Sequence, residues 1–489
     1  MTARTLITRA SLALLLSLTA QGSWLAAQVS QLNRDTPPTP GKAATLRIPT
    51  WTKVQLANGA LLIVSQKSDL PLVSFSVDFV GGAYNFEQPE KLGAAGFTAQ
   101  MLSEGTTSKT ADQLSEAQQT LGTNINANVS GERGTIRFTS LRDKFEPALA
   151  LVADMMLHPT FPAEALERIR ARTLVTLTQA KDQPNTIASN VFSKVLYGDD
   201  HPYGRVTSEK TVKAITRDDV VAFHAAYYRP GRSIITVSGD VDPAAVRATI
   251  EKALASWPAG GERPSFSYPA RPPAETTAIY IVDKPSAAQS VFALGEPGPP
   301  RDTPDYYALQ VMNNLLGGLF QSRINHNIRE VKGYSYGVNS SFSYGRGPGP
   351  FRAGGGIVTA KTDSALIEFM KELRGVQGGI PFTDDEITQG KESLIQSLPR
   401  QFSSVNGIGA SVSGIYAQDL PESYYRDFAA KIGAVTREDL VQVAKKYIDL
   451  AHLNIVIVGD RATIEAPLRK TGIAPVRLLD VDGKPVVMP

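Results

Sequence analysis

Residues 214–228 read AITRDDVVAFHAAYY, and residues 434–448 read AVTREDLVQVAKKYI. In each stretch a Thr stands three residues before an Asp, as Thr216 and Asp219 do in the first. This is the spacing of a capping box, in which the hydroxyl accepts a hydrogen bond from a free amide of the first helical turn. The acid also favours the positive end of the helix. Both stretches therefore predict amphipathic helices that begin at the same point.

The strands that follow these two helices also match. SIITVSGD ends at Asp240 and LNIVIVGD ends at Asp460. The second strand therefore follows the first at the same distance in sequence as the second helix follows the first. A chain of 489 residues is too long for a single ordinary core. Because an internal repeat fixes the architecture, the sequence predicts duplication of one α+β domain.

The order of elements within one repeat predicts the fold class. Strands at hairpin distance with helices grouped after them indicate two homologous α+β domains, each an antiparallel sheet covered on one face by helices. In the first half, apolar periodicity predicts strands near 61–64, 73–80, 124–128 and 134–140, and helices near 91–102, 111–121, 144–157, 162–181 and 186–196.

The remaining boundaries follow from local composition. Arg4 and Arg9 precede an apolar run that ends in small residues at Ala26 and Ala27, the layout of a secretory signal peptide. That run is shorter than the roughly 20 residues of a spanning helix, so we expect a periplasmic protein without a membrane span. The predicted organisation is a signal peptide (1–27), a Pro/Thr-rich leader (28–48), an N-terminal domain (49–256), a Pro/Gly-rich linker (257–276), a C-terminal domain (277–475) and a tail (476–489).

Composition excludes several classes of function. The 50 basic and 47 acidic residues are interspersed, which predicts no nucleic-acid binding. There is no Cys, hence no disulfide and no thiol nucleophile, and no Gly-x-Ser-x-Gly elbow. No two of the five His residues have the spacing of a helical ligand pair, so each is predicted to be a loop, cap or partly buried residue; they are His158, His201, His224, His326 and His452.

One region carries a recognisable motif frame. Residues 81–106 read GGAYNFEQPEKLGAAGFTAQMLSEGT. They resemble the start of the catalytic domain of the pitrilysin/insulinase peptidases, the inverted zincins that include the mitochondrial processing peptidases. Active members carry H-x-x-E-H on this helix, and residues 96–100 occupy that place here. The matching frame residues are Gly93, Met101, Leu102, Gly105 and Thr106.

The resemblance implies that the zinc site is lost. Two His residues four apart on a helix face the same way and reach one zinc ion, and the Glu activates the bound water. Gly96 and Gln100 stand in place of the His ligands, and Ala99 in place of the Glu. The third ligand, a downstream Glu, aligns with Thr176. We therefore expect no metal in this chain and a zinc ion on a catalytic partner.

The second half resembles the family's C-terminal domain. Residues 317–338 read GGLFQSRINHNIREVKGYSYGV. In the family, an Arg near a helix end and a Tyr seven residues later contact substrate at the active site contributed by the other domain or subunit. Arg329 and Tyr336 have that separation, and Gly333 between them should end the helix. The alternative is that Arg329 pairs with a nearby acid and Tyr336 packs on the sheet edge.

Three functions follow from this resemblance. The first is a non-catalytic subunit that binds peptide substrate and completes the active site of a zinc-bearing relative, as a heterodimer or larger assembly. The second is a peptide-binding scaffold or chaperone-like protein that performs no proteolysis and pairs with itself. The third is a zinc endopeptidase with unrecognised ligands. Without a partner, the chain is not expected to be an enzyme.

Overall fold

The computed structural model describes residues 47–270, 272 and 275–486. The predicted signal peptide and residues 28–46 of the predicted leader lie outside this range. In the described part of the chain, no helix has the length and apolar character needed to cross a membrane.

The first half combines a sheet with nine helices in the described range. Its strands are β1 (Thr52–Gln55), β2 (Leu61–Gln66), β3 (Leu72–Val80), β4 (Asn126–Val129), β5 (Arg133–Leu141) and β6 (Ser233–Gly239). Its helices are α1 (Ala83–Phe86), α2 (Ala94–Met101), α3 (Ala111–Thr120), α4 (Phe145–Leu157), α5 (Ala163–Ala180), α6 (Pro184–Tyr197), α7 (Glu209–Ala214), α8 (Arg217–Tyr227) and α9 (Pro243–Ala253).

The second half repeats this sequence of elements. Its strands are β7 (Ala278–Asp283), β8 (Gln289–Pro297), β9 (Ser335–Phe342), β10 (Pro350–Val358), β11 (Asn454–Gly459) and β12 (Val476–Leu479). Its helices are α10 (Tyr306–Asn313), α11 (Arg323–Asn325), α12 (Thr362–Arg374), α13 (Asp384–Gln401), α14 (Val405–Ala417), α15 (Tyr424–Ala434), α16 (Arg437–Tyr447) and α17 (Arg461–Lys470). The segments Asn314–Gly318, His326–Val331 and Gly375–Gly379 are π-helical.

The two sheets confirm the duplication. Their strand orders are β1-β2-β6-β3-β5-β4 and β12-β7-β11-β8-β10-β9. From the second strand onward, each position in one sheet is filled by the equivalent strand in the other. Helices α8 and α16 both begin at the predicted caps, since Thr216 and Thr436 each accept from the backbone N–H of the Asp three residues later, at 3.3 and 3.1 Å.

The sheets are mixed, which corrects the prediction of purely antiparallel ones. β3 and β5 pair antiparallel, and so do β4 and β5, which are joined by the short connection 130–132. β2 and β6 pair parallel, and so do β7 and β11. Nearly the whole half of the chain lies between the members of each parallel pair, so the later strand can return in the same direction.

The helices α6 and α14 pack across the two halves. Helix α14 lies on β3 and β6 of the first sheet, where Ser413 Oγ donates to Asp78 at 2.5 Å. Helix α6 lies on β8 and β11 of the second sheet and buries Ile187, Val191 and Phe192 there. Each sheet is therefore also contacted by one helix from the other half, which corrects the expectation that only one face is covered. Helix α6, which belongs to the domain predicted at 49–256, shares a core with strands of the domain predicted at 277–475.

The C-terminal segment is also more than a tail. Residues 476–479 form β12, which pairs parallel with β7 at the edge of the second sheet. Val486 donates its backbone N–H to Leu478 at 3.0 Å. Strand β12 is therefore the edge strand beside β7, as β1 is the edge strand beside β2 in the first half.

One carboxylate is hydrogen-bonded to residues of both halves of the chain. Glu132, in the turn between β4 and β5, accepts from the hydroxyls of Tyr203 and Tyr268 and, at 2.8 Å, from the backbone N–H of Arg346. The two oxygens of the Glu132 carboxylate are thus hydrogen-bonded to groups from the first half, the connecting segment and the second half. Both phenol pKa values are raised, by burial first and by the carboxylate second.

Substitution of Phe192 tests the packing of α6 against the second sheet. We expect Phe192→Ala to lower the free energy of unfolding of the whole chain by about 3–5 kcal/mol, because it leaves a cavity between the halves. Val175 on α5 is 57% exposed, so Val175→Ala should change the free energy of unfolding by about 0.5 kcal/mol or less. Urea unfolding of both variants checks this, and equal small effects would contradict the observed packing.

One buried and one half-buried His residue predict acid sensitivity. His201 caps a 3₁₀ turn by accepting from Tyr203 N–H at 3.1 Å, and His224 Nε2 contacts the Met156 carbonyl at 2.8 Å. Burial lowers both imidazole pKa values below the ordinary 6.5, and the Arg205 charge adds to this at His201. The unfolded chain therefore binds protons that the folded chain does not as the pH falls through 6.5.

We expect the free energy of unfolding to fall between pH 7.5 and 5.5, by up to about 1.4 kcal/mol per pH unit for each ring. The variant His201→Gln/His224→Gln should flatten this slope, whereas His158→Gln, at an exposed position, should keep it. Denaturant unfolding across this pH range is the measurement. An unchanged slope in the double variant would show that other groups set it.

Candidate functional site

Helix α2 begins at a left-handed glycine and a buried carboxylate. Gly93 has φ of 107°, a conformation that favours glycine. The Glu87 carboxylate accepts from the backbone N–H groups of Gly93 and Ala95, at 3.0 and 2.6 Å. Burial raises the pKa of Glu87, and these two hydrogen bonds act against the rise. The carboxylate satisfies free amides at the helix start, which fixes where residues 96–100 lie.

Three of the four predicted positions share this helix but not one environment. Ala99 is 4% exposed, whereas Gln100 is exposed and Gly96 is half-buried. Because Gly96 and Gln100 are four apart, they share one side of the helix, as a ligand pair would. A Cβ placed on Gly96 would meet no atom within 4 Å. The structure therefore has room for a side chain at position 96, although Gly96 has none.

An arginine joins the two helices at this point. Arg172, one turn before Thr176 on α5, donates from Nη2 to Gln100 Oε1 at 2.8 Å. Gln100 Nε2 donates to the Gly96 carbonyl at 3.3 Å, and Thr176 Oγ1 donates to the Arg172 carbonyl at 3.1 Å. The polar side chains at the ligand positions are thus engaged in hydrogen bonds to protein.

This donor set does not fit a zinc ion. Zinc in proteins is held by thiolate, imidazole and carboxylate ligands, and the positions here offer a neutral amide, a hydroxyl and two residues without ligand atoms. The guanidinium of Arg172 adds a permanent positive charge beside Gln100. Elsewhere in the described residues, no group of three or more His, Cys, Asp or Glu side chains could hold a metal.

The second-half motif folds as its glycine predicts. Helix α11 continues as the π-helical segment that contains Arg329, and π-helical turns often occur at functional sites. Gly333 has φ of 65° and donates to the Arg329 carbonyl at 3.1 Å, which ends the helix. Strand β9 begins two residues later and forms the edge of the second sheet opposite β12. Tyr336 lies on this edge.

Arg329 and Tyr336 are both available to a ligand. The Arg329 guanidinium stacks on the ring of Phe320, 4.3 Å from its centre, and its Nε lies 3.4 Å from the neighbouring Glu330 carboxylate. Tyr336 is 87% exposed. The alternative therefore holds in part for Arg329, which has an acid beside it, but not for Tyr336, which does not pack on the sheet edge.

The structure places Gly96, Ala99 and Gln100 on one helix and joins this helix, through the bond from Arg172 to Gln100, to the helix that carries Thr176. Arg329 and Tyr336 lie in the second half, on the π-helical segment and on β9. In the described part of the chain, no hydrogen bond, ion pair or ring contact joins Arg329 or Tyr336 to Gln100 or Thr176. Sequence reasoning missed Arg172. Its signal was its place one helical turn before Thr176, since residues four apart on a helix lie on the same face.

A duplicated α+β fold with a zinc-peptidase motif frame in its first half and an Arg/Tyr pair in its second defines a peptidase-like protein. The family model for insulinase, peptidase family M16, matches residues 62–204. The model for the peptidase M16 inactive domain matches residues 214–394. The chain belongs to the M16 peptidase family.

Two relatives with similar sequences are described as uncharacterized zinc proteases. An uncharacterized zinc protease of Bacillus subtilis is 27% identical over 351 residues, which cover 71% of this chain and 84% of the relative. One of Mycobacterium leprae is 27% identical over 366 residues, covering 72% of this chain and 80% of the relative. The chain is thus similar to these proteins over both halves.

Solved structures agree with this assignment. The peptidase M16 inactive domain from Pseudomonas fluorescens superposes with a TM-score of 0.77 at 28% identity, over 84% of this chain and 98% of that one. A Helicobacter pylori protease gives a TM-score of 0.77 at 19% identity, over 84% of this chain and 100% of that one, which supports the fold alone.

Proposed function

We propose that this chain is a non-catalytic subunit of an exported zinc metallopeptidase. It binds peptide substrate and offers Arg329 and Tyr336 to an active site whose zinc is held by a partner of the same family. The observation that carries this proposal is the asymmetry between the halves. The first half has Gln100 bonded to Arg172 where ligands would stand, whereas the second half keeps Tyr336 exposed on a formed strand edge.

The chemistry of the pair suits a peptide in the act of being cleaved. A guanidinium offers several donors in a fixed plane to peptide carbonyls. A phenol can donate to the oxyanion that develops on the attacked carbonyl. Neither group requires a metal of its own. The Arg329 guanidinium stacks on the Phe320 ring, which fixes its plane. This contact lowers the entropy cost of orienting the guanidinium for a ligand.

The surface around the pair suits contact with another protein. Phe320 is 64% exposed and Val331 is 62% exposed, both close in sequence to Arg329. Apolar and aromatic side chains with an Arg among them are enriched in protein interfaces. An exposed group of this kind supports docking of a partner or of a peptide at this edge.

The same exposed residues favour a second candidate function. A peptide-binding scaffold or chaperone-like protein, paired with itself, would use Phe320, Val331 and Tyr336 to hold apolar peptide segments without cleavage. The two functions differ in the partner. A stable complex with an H-x-x-E-H relative supports the first, and a homodimer that binds peptide in its absence supports the second.

The proposal places the protein in the periplasm. Its support is the sequence alone, in which Arg4 and Arg9 precede an apolar run. The lack of Cys is compatible with export because stability then depends on packing and not on disulfides.

Zinc analysis of the purified chain tests the proposal. We expect well under one zinc per chain for this protein alone and about one zinc per pair when it is co-expressed with an H-x-x-E-H relative from the same genome. The relative should co-purify with it through gel filtration. Stoichiometric zinc in the isolated chain, together with hydrolysis of an unfolded peptide, would contradict a non-catalytic role.

A further inference from the structure

A polar pocket lies on the first sheet beside the helix that the second half contributes. Its volume is about 700 Å³. Strands β3 and β5 form its floor, and the end of α3 and the start of α14 form its sides. Helix α14 covers part of this face of the sheet, where apolar side chains could be buried. The face carries polar side chains instead.

The polarity follows the alternation of the strands. Arg133, Thr135 and Arg137 on β5 are two apart and therefore face the same side of the sheet. On β3, Ser76 pairs with Arg137 and Asp78 pairs with Thr135 in the antiparallel register. All five residues line the pocket.

The one acid of this surface does not neutralise the arginines. Among the described residues that line the pocket, Asp78 is the only acidic one. Its carboxylate accepts from Thr135 Oγ1 at 2.9 Å and from Ser413 Oγ at 2.5 Å, with Ser76 Oγ at 3.4 Å. The acceptor capacity of Asp78 is therefore largely used by hydroxyls.

The pocket instead presents unpaired donors. Arg133 and Arg137 are exposed, and in the described part of the chain neither side chain has an ion pair or a hydrogen bond. The side-chain amides of Asn124 and Asn126 also line the pocket and have no partner there, and Asn126 stands opposite Arg137 in the register. Guanidinium and amide N–H groups are donors suited to carboxylates.

We propose that this pocket binds the carboxylates of a peptide, whether acidic side chains or a C-terminal carboxylate. The inference rests on the proposed peptide-binding function and names the class of peptide. Arg133 and Arg137 are four residues apart along an extended strand, roughly 13 Å between their Cα atoms. Each guanidinium therefore binds a carboxylate of its own, and the chain favours acidic segments over neutral or basic ones.

Fluorescence anisotropy with labelled peptides tests this. The probes are an unfolded peptide with two Glu residues, the same peptide with both changed to Gln, and each of these with an amidated C-terminus. We expect the acidic peptide to bind the purified chain about tenfold or more tightly than the neutral one. The preference should weaken in high salt. Weaker binding after Glu→Gln exchange assigns the site to acidic side chains, and weaker binding after amidation assigns it to the C-terminal carboxylate.

Variants of the pocket give the matched control. Arg133→Gln/Arg137→Gln should abolish the preference, with each single variant losing part of it. Arg374→Gln/Arg400→Gln removes the same charge from exposed positions that do not line the pocket, and should keep it. Circular dichroism confirms that the variants are folded.

The outcomes separate this inference from the function on which it rests. If neither Glu→Gln exchange nor amidation weakens peptide binding, or if the pocket variant keeps the effect of these changes, the pocket assignment is overturned while peptide binding stands. If no peptide binds, either to the chain alone or to its mixture with the metal-free relative, the proposed peptide-binding function fails and the inference fails with it.

Discussion

Tyr336→Phe is expected to slow peptide hydrolysis by the mixture of this chain and a zinc-bearing relative about 10²- to 10³-fold. That is the loss typical of removing one donor to a developing oxyanion. The phenol is 87% exposed, and in the described part of the chain its hydroxyl forms no hydrogen bond. The substitution should therefore leave folding and assembly unchanged, and the rate should fall mainly in kcat.

The neighbouring Tyr334→Phe is the matched control. Tyr334 precedes β9 and is half-buried, and its ring lies against the Lys361 ammonium, 5.8 Å from the ring centre. The rate of the Tyr334→Phe mixture should therefore stay near that of the unchanged protein. Arg329→Ala should weaken substrate binding as well as turnover, because a guanidinium binds ground-state carbonyls. Full activity of the Tyr336→Phe mixture would show that this residue does not contact the reacting peptide.

Restoring the zinc ligands is expected to have a still larger effect. The variant Gly96→His, Ala99→Glu, Gln100→His and Thr176→Glu, with Arg172→Leu, should gain zinc affinity by about 10³-fold or more over the unchanged chain. Two imidazoles and a carboxylate make a three-ligand catalytic zinc site. The open space at Gly96 accommodates the first His. Zinc titration by calorimetry against the unchanged chain is the measurement.

Arg172 provides the internal control in that series. The four ligand substitutions with Arg172 retained should bind zinc at least about tenfold more weakly than the five-residue variant, because a guanidinium beside the ion repels it. Equal affinity of the two variants would mean that Arg172 swings away. If neither variant binds zinc, the backbone of α2 and α5 has left the geometry that the ligands require.

Much of the fold could be predicted from residues that act locally. The capping threonines at 216 and 436 determined where two helices begin, and Gly333 determined where the Arg329 helix ends, because these effects depend on a few neighbouring residues. The apolar face of α6 predicted burial. It could not show that the burial is against the other half's sheet, since periodicity identifies a face and not its partner.

The site divides in the same way. The motif frame predicts Gly96, Ala99 and Gln100 on one helix, because the spacing within that motif is local, and the resemblance to the family predicts Thr176 as the fourth position. The hydrogen bond from Arg172 to Gln100 joins helices far apart in sequence, and no local pattern specifies it. The polar pocket could not be predicted for the same reason, because the residues that line it come from β3, β5, α3 and α14, which are far apart in sequence.

Hydrolysis of an unfolded peptide by three samples tests the central claim most directly. The samples are this chain alone, the zinc-bearing relative alone, and the two mixed in equal amounts. The proposed role predicts no hydrolysis above buffer for this chain and a rate for the mixture well above the relative alone. Zinc-dependent hydrolysis by this chain alone, or a mixture no faster than the relative, would contradict it.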